Sequence, residues 1–160
     1  MAEPTYPQVG KPAPAFKLQS STGETIDSSK LKGKPFVLFF YPKADTPGCT
    51  KEACGFRDAI ANYKKLSVPV FGISPDPLKD VDAFAKKFDL NFPLLADEDH
   101  SIADKYGTWQ EKSMYGKTYM GVARTTFIVD KDGNVAHVFE KVKPDGHDQE
   151  VLTWLNANQK

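Results

Sequence analysis

Two cysteines in 160 residues are too few for a disulfide scaffold, and a chain of this size can bury a core without one. The three histidines, His100, His137 and His147, have no paired spacing to one another or to the cysteines. That argues against a zinc site and for solvated or structural roles. Neither sign of charge dominates: 21 basic and 21 acidic residues cancel, and no block of like charges occurs. A strong pull toward nucleic acid or an anionic membrane is thereby excluded, which leaves small molecules or proteins as partners. No apolar stretch reaches the roughly 18 residues needed to span a bilayer, and residues 1–10 hold no basic cluster followed by an apolar run. Neither a membrane span nor an export signal is expected, and the expected location is cytoplasmic.

What is present suits one domain over residues 1–160, since 40% of the residues are hydrophobic and 11 are phenylalanine. Pro4, Pro7, Pro12 and Pro14 favour an extended arm, after which Phe16, Leu18, Thr25 and Ile26 flank a Ser21-Thr22-Gly23 turn, a small hairpin. Pro35-Phe36-Val37-Leu38-Phe39-Phe40-Tyr41 reads as a strand buried on both faces at the sheet centre. Residues 49–66 place Phe56, Ile60 and Tyr63 at helical spacing, and residues 68–74 return to strand. The alternation continues through a helix over 76–88, a strand over 92–96 and a helix over 99–106. Strands over 125–130 and 135–142 then flank the turn Lys131-Asp132-Gly133-Asn134, and a helix over 147–158 buries Val151, Trp154 and Leu155. Residues 107–121, with three glycines, Trp109, Tyr115 and Tyr119, read as a long irregular loop without an assignable role. This order describes an α/β protein with a mixed central sheet flanked by helices and an N-terminal hairpin extension, and a thioredoxin-like fold fits it.

Cys49 follows Pro47-Gly48 where the loop after the buried strand feeds a helix, so its sulfur is expected among unpaired backbone N–H groups at the positive helix end. A free thiol with a pKa of about 8.5 is only ~3% ionised at neutral pH, so full ionisation gains at most roughly 30-fold. Enzymatic accelerations are typically about a millionfold or more, so the rest must come from positioning and from stabilising charge on the departing oxygen. Thr46 can offer a hydroxyl from the same loop, and Arg124, just before a strand, a permanent cation from across the sheet. Pro42 would shield the site. Taken singly, Thr46 reads as a turn or capping residue, Arg124 as half of a surface ion pair, and either cysteine as core packing. Glu52 reads as favouring the first helical turn by its charge, with orientation of Arg124 as an alternative, and stays outside the catalytic set.

The segment Pro42-Lys43-Ala44-Asp45-Thr46-Pro47-Gly48-Cys49 resembles the proline-x3-threonine-x2-cysteine signature of the peroxiredoxins, and the preceding Phe39-Phe40-Tyr41 strand is similar too. Its continuation, Thr50-Lys51-Glu52-Ala53-Cys54, resembles the bacterioferritin-comigratory (PrxQ) subfamily. The resemblance implies an atypical 2-Cys peroxidase reducing hydrogen peroxide and organic hydroperoxides. Cys49 would be the peroxidatic cysteine and Cys54 the resolving one, with Pro42, Thr46 and Arg124 completing the site and the Gly48 and Cys49 N–H groups contributing. Cys49 would be oxidised to sulfenic acid and condense with Cys54 to an intramolecular disulfide. Thioredoxin, with glutaredoxin as the alternative, would reduce that disulfide. No cofactor or metal is called for, because the peroxide bond is weak and the thiolate carries both electrons. A monomer is expected, since resolution within one chain needs no second subunit.

Residues five apart on an ideal helix differ by about 140° in direction and lie roughly 8.7 Å apart between Cα atoms, whereas a disulfide needs less than about 7 Å. The start of the helix must therefore unwind for Cys54 to reach Cys49, and Gly48 and Gly55 are expected to make that easier. Two other functions use the same residues. A thioredoxin-type oxidoreductase wants Cys-x2-Cys, not the Cys-x4-Cys present here, and a cis-proline where this chain has Arg124. A redox-sensing adaptor would need one oxidation per signal and no rapid turnover.

Overall fold

In the computed structural model, which describes residues 6–158, the proline-punctuated N-terminus runs extended along one edge of the main sheet. Gly10 N–H donates to Val135 O at 2.8 Å and Val135 N–H to Lys11 O at 2.9 Å. Pro4 lies outside the described residues. The expected hairpin follows as β1 (Lys17–Gln19) and β2 (Thr25–Asp27), antiparallel with Leu18 opposite Ile26. Ser20 Oγ closes its turn by donating to Glu24 O at 2.7 Å.

Every residue of β3 (Phe36–Phe40) is buried. Val37 and Phe39 enter one core with Phe56, Tyr63 and Val151, while Phe36, Leu38 and Phe40 enter another with Tyr106 and Phe127. Two buried faces explain why the strand shows an unbroken apolar run and no alternation. Then come α1 (Pro47–Lys65), β4 (Val70–Ser74), α2 (Leu78–Lys87), β5 (Leu94–Ala96) and α3 (Ser101–Lys105). After them the chain forms β6 (Trp109–Met114), β7 (Lys117–Val122), β8 (Thr125–Val129), β9 (Val135–Phe139) and α4 (His147–Asn158). The main sheet has the order β5-β4-β3-β8-β9, with β3 central, β3, β4 and β5 parallel, and β8 and β9 antiparallel. This is the mixed α/β sheet read from the sequence.

Residues 107–121 correct the sequence reading. They hold a regular antiparallel hairpin, β6 and β7, paired from Trp109↔Val122 to Met114↔Lys117. Its turn residues Tyr115 and Gly116 have φ of 53° and 78°, the left-handed pair that a two-residue hairpin turn requires. Residues 117–120 are all exposed, so this part of the strand covers no core and carries no alternation for periodicity to detect. β9 also stops earlier than expected, at Phe139, shortly before Lys141 with φ of 51°.

Candidate active site

The loop leaving the carboxyl end of β3 is held from two sides. Ala44 N–H donates to Asp76 Oδ2 at 2.7 Å, and Ser74 Oγ donates to the same oxygen at 2.8 Å, so the end of β4 pins the loop. Asp45, with φ of 58°, makes an exposed 2.8 Å pair with Lys87 Nζ. Thr46 is the residue before α1 and has extended backbone, but its hydroxyl does not cap the helix. It donates instead to Lys43 O at 3.0 Å, which leaves the oxygen lone pairs as its remaining hydrogen-bonding capacity. Pro47 supplies the first helical position, where its missing N–H costs nothing, and the N–H groups of Gly48 and Cys49 are left at the open end of the helix.

Because α1 begins at Pro47, two residues before the expected start, Cys49 lies within its first turn and Glu52 beyond it. Cys49 is buried, and Arg124 Nη2 donates to its sulfur at 3.4 Å. The other terminal nitrogen of Arg124, Nη1, donates to Glu52 Oε1 at 2.8 Å, with the Glu52 side chain fully enclosed. Glu52 therefore does not serve the first turn by its charge. It sits three residues after Cys49, on the same helix face, and holds the guanidinium against the sulfur. Gly48 leaves room for this arrangement, since a Cβ there would stand 3.1 Å from Arg124 Nη2.

Burial pushes the Glu52 carboxyl up to about 7, against the opposing pull of Arg124. For Arg124 burial works against the charge, but Glu52 and the Cys49 sulfur beside it outweigh burial and hold the guanidinium protonated. Glu52 Oε2 has no hydrogen-bond partner among the described residues.

Of the residues expected in the site, Cys49, Arg124 and Gly48 are in contact, and Thr46 stands at the mouth of the same helix. Pro42 is half-buried at the start of the loop and takes part in none of these hydrogen bonds. Cys54 is not brought to Cys49: both thiols are free, on one unbroken helix, and Cys54 is partly exposed beside Arg57. The next stretch of α1 packs on the start of α4, where Tyr63 Oη donates to Asp148 O at 2.8 Å. A Cβ on Gly55 would lie 2.6 Å from Asp148 Oδ1, so this glycine also serves helix packing.

His147 is buried between Thr126 Oγ1 at 2.7 Å and Glu150 Oε1 at 2.8 Å, against the ring of Phe56, which makes it structural. His100 stacks on Trp109 and His137 on Trp154. Asp76 went unnoticed in the sequence because its partner lies 32 residues away. Glu52 had a local signal, its spacing from Cys49, but not the knowledge that this face is enclosed.

Comparison with known proteins bears directly on this arrangement. The AhpC/TSA family pattern matches residues 9–138. The Escherichia coli K12 protein Peroxiredoxin Bcp is 45% identical over 151 residues, covering 94% of this chain and 97% of the relative. Peroxiredoxin Bcp of Bacillus subtilis is 42% identical over 148 residues, covering 92% of this chain and 94% of the relative. Among solved structures, that of the Xanthomonas campestris bacterioferritin comigratory protein, described for its alkyl peroxide reduction activity, superposes with a TM-score of 0.89. It is 33% identical and covers 96% of this chain and 100% of that one. The chain therefore belongs to the AhpC/TSA family, among its Bcp/PrxQ peroxiredoxins, and is a thiol-dependent peroxidase.

Proposed function

We propose that Cys49 is the peroxidatic cysteine, Cys54 the resolving one, and thioredoxin the reductant, with the chain acting as a single-domain monomer. The observation that carries this reading is the bridge made by Arg124, 3.4 Å from the Cys49 sulfur and 2.8 Å from Glu52. A guanidinium so held stabilises negative charge on sulfur before the reaction and on the departing oxygen during it.

The Cys49 thiolate attacks one peroxide oxygen, the O–O bond breaks, and the electron pair leaves on the second oxygen. That oxygen takes a proton and departs as water or an alcohol, leaving Cys49 as sulfenic acid. The Gly48 and Cys49 N–H groups and Arg124 are the donors for the departing oxygen. Thr46, its own proton engaged by Lys43 O, accepts the hydrogen bond of the peroxide O–H and orients it. Pro42 shields the loop. The Cys54 thiol then displaces hydroxide from the sulfenic sulfur, water forms, and the disulfide results. A dithiol of the thioredoxin class, with glutaredoxin as the alternative, resets both thiols. This requires a compartment in which that reductant is kept reduced, and the cytoplasm meets the requirement.

Hydrogen peroxide fits as the minimal substrate. The alkyl peroxide activity of the Xanthomonas protein supports organic hydroperoxides as well. A thioredoxin-coupled peroxidase assay on wild type, Cys49→Ser and Cys54→Ser tests the assignment. Cys49→Ser is expected to lose all turnover, and Cys54→Ser to lose the disulfide-dependent cycle while still being oxidised once by peroxide. Substantial turnover by Cys49→Ser would defeat the reading.

A further inference from the structure

The β6–β7 hairpin exposes most of its surface, yet one of its side chains turns back onto the backbone that leads to Arg124. Lys112 stands opposite Tyr119 in the hairpin, and its Nζ donates to Val122 O at 2.8 Å. Its stem crosses β7 over Gly121, where a Cβ would lie 3.1 Å from Lys112 Cδ and 3.3 Å from Tyr119 Cε2. The absence of a side chain at 121 is what lets the lysine lie flat. Val122 is buried at the end of β7, and Arg124 follows two residues on. The chain between them is further tied by Ala123 N–H to Thr108 O at 2.7 Å and by Thr125 Oγ1 to Ala123 O at 2.8 Å. Lys112 is thus one of the few groups gripping the segment that presents the guanidinium.

Its charge matters as well as its grip. The ammonium lies within electrostatic reach of both Arg124 and Cys49; burial and Arg124 push its pKa down, while Cys49 pulls it up. Two cations side by side are unfavourable unless anions offset them. The anions here are Glu52, paired with Arg124, and the Cys49 sulfur when ionised. Tyr41, fully buried and held protonated by its burial, is a further titratable neighbour of Cys49 and Glu52. Above about pH 7, where Glu52 is ionised, Arg124 alone would be one guanidinium serving two anions; with Lys112 present the charges match.

We infer that Lys112 is a positioning residue of the peroxidase site: it fixes the backbone that carries Arg124 and adds a second positive charge beside that segment, within electrostatic reach of Cys49. This rests on Cys49 being the reactive thiol, and the experiment separates the two claims.

The test compares alkylation of the reduced full-length protein by iodoacetate, an anion, and by neutral iodoacetamide. Trypsin cuts after Lys51, so Cys49 and Cys54 fall on different peptides and each rate ratio is read by mass spectrometry. A cation near a thiol favours the anionic reagent. In Lys112→Met, which keeps the stem and loses the charge, the iodoacetate-to-iodoacetamide ratio at Cys49 should fall by about three- to tenfold. Lys112→Arg should restore it to within about twofold. The ratio at Cys54, whose neighbouring cation is Arg57, should stay constant and serves as the internal reference. Gly121→Ala, which crowds the stem without touching the charge, should give a smaller fall in the same direction. An unchanged Cys49 ratio in Lys112→Met would overturn the inference, even if its melting temperature drops. Modification confined to Cys54 would overturn the reading of Cys49 itself.

Discussion

Glu52 and Arg124 form a 2.8 Å ion pair in which the Glu52 side chain is wholly enclosed and the Arg124 side chain is half-buried. Such a pair is a weak source of stability but a strong device for orientation, because removing either partner leaves the other charge buried and unmatched. One end of the arginine is thereby fixed, and the other is left to face sulfur.

The pair carries a pH signature. The Glu52 carboxyl is raised from 4.5 to about 7, so the folded protein holds this proton more tightly than the unfolded chain. Its contribution to stability is fully present below about pH 4.5 and lost as pH rises through about 7. Glu52→Gln removes that slope. The stability of wild type relative to Glu52→Gln should fall by roughly 3 kcal/mol between pH 4.5 and 7.5, an order-of-magnitude figure from the size of the shift. Denaturant melts of both proteins across that range check it; a pH-independent difference would contradict it.

His147 should act in the opposite direction. Burial lowers its pKa from 6.5, partly offset by Glu150 and Asp148, with Arg124 adding to the lowering. The unfolded chain takes up this proton first, so stability is full above about pH 6.5 and is lost as pH falls below it. Replacement by glutamine should remove this contribution, while the opposite slope from Glu52, which acts over an overlapping range, persists. Chemical denaturation from pH 5 to 8 separates the two, because the two single variants change the profile with opposite sign.

The proposed Cys49–Cys54 disulfide would require α1 to open locally. The first turns would have to unwind to bring Cys54 to Cys49, whereas the region near Tyr63 is tied to Asp148 on α4. Hydrogen exchange should therefore show residues 49–58 losing protection by tenfold or more on oxidation, with residues 60–65 little changed. Equal protection of residues 49–58 in both redox forms would refute the unwinding.

Asp76 should matter to activity without touching the reacting atoms. Asp76→Ala leaves Ala44 N–H without its acceptor and should cost about 1–3 kcal/mol of stability. The loop would loosen and kcat/KM with hydrogen peroxide should fall. Asp76→Asn keeps an acceptor oxygen and should recover most of both. Denaturation and steady-state assays of the two variants provide the check.

Much of this was legible in the sequence, because it is locally encoded. The apolar run of β3 announced a strand covered on both faces, and Pro47-Gly48 before a helical pattern announced the place of Cys49. α4 was read with its observed bounds. The β6–β7 hairpin was missed because its exposed residues carry no burial pattern, although Tyr115-Gly116 marked its turn.

The sequence by itself determined which thiol stands at a helix start, which loop precedes it, and which strand fills the centre of the sheet. Only the tertiary structure decided that Glu52, among 21 acidic residues, is the one enclosed against Arg124, and that Asp76 holds the loop and Lys112 the backbone leading to Arg124. The physical reason is that charge state and orientation depend on burial and on partners far away in the chain. β8, directly downstream of Arg124, pairs with β3, directly upstream of the cysteine loop. That pairing brings Arg124 to Cys49 across 75 residues of sequence, a distance no local pattern spans.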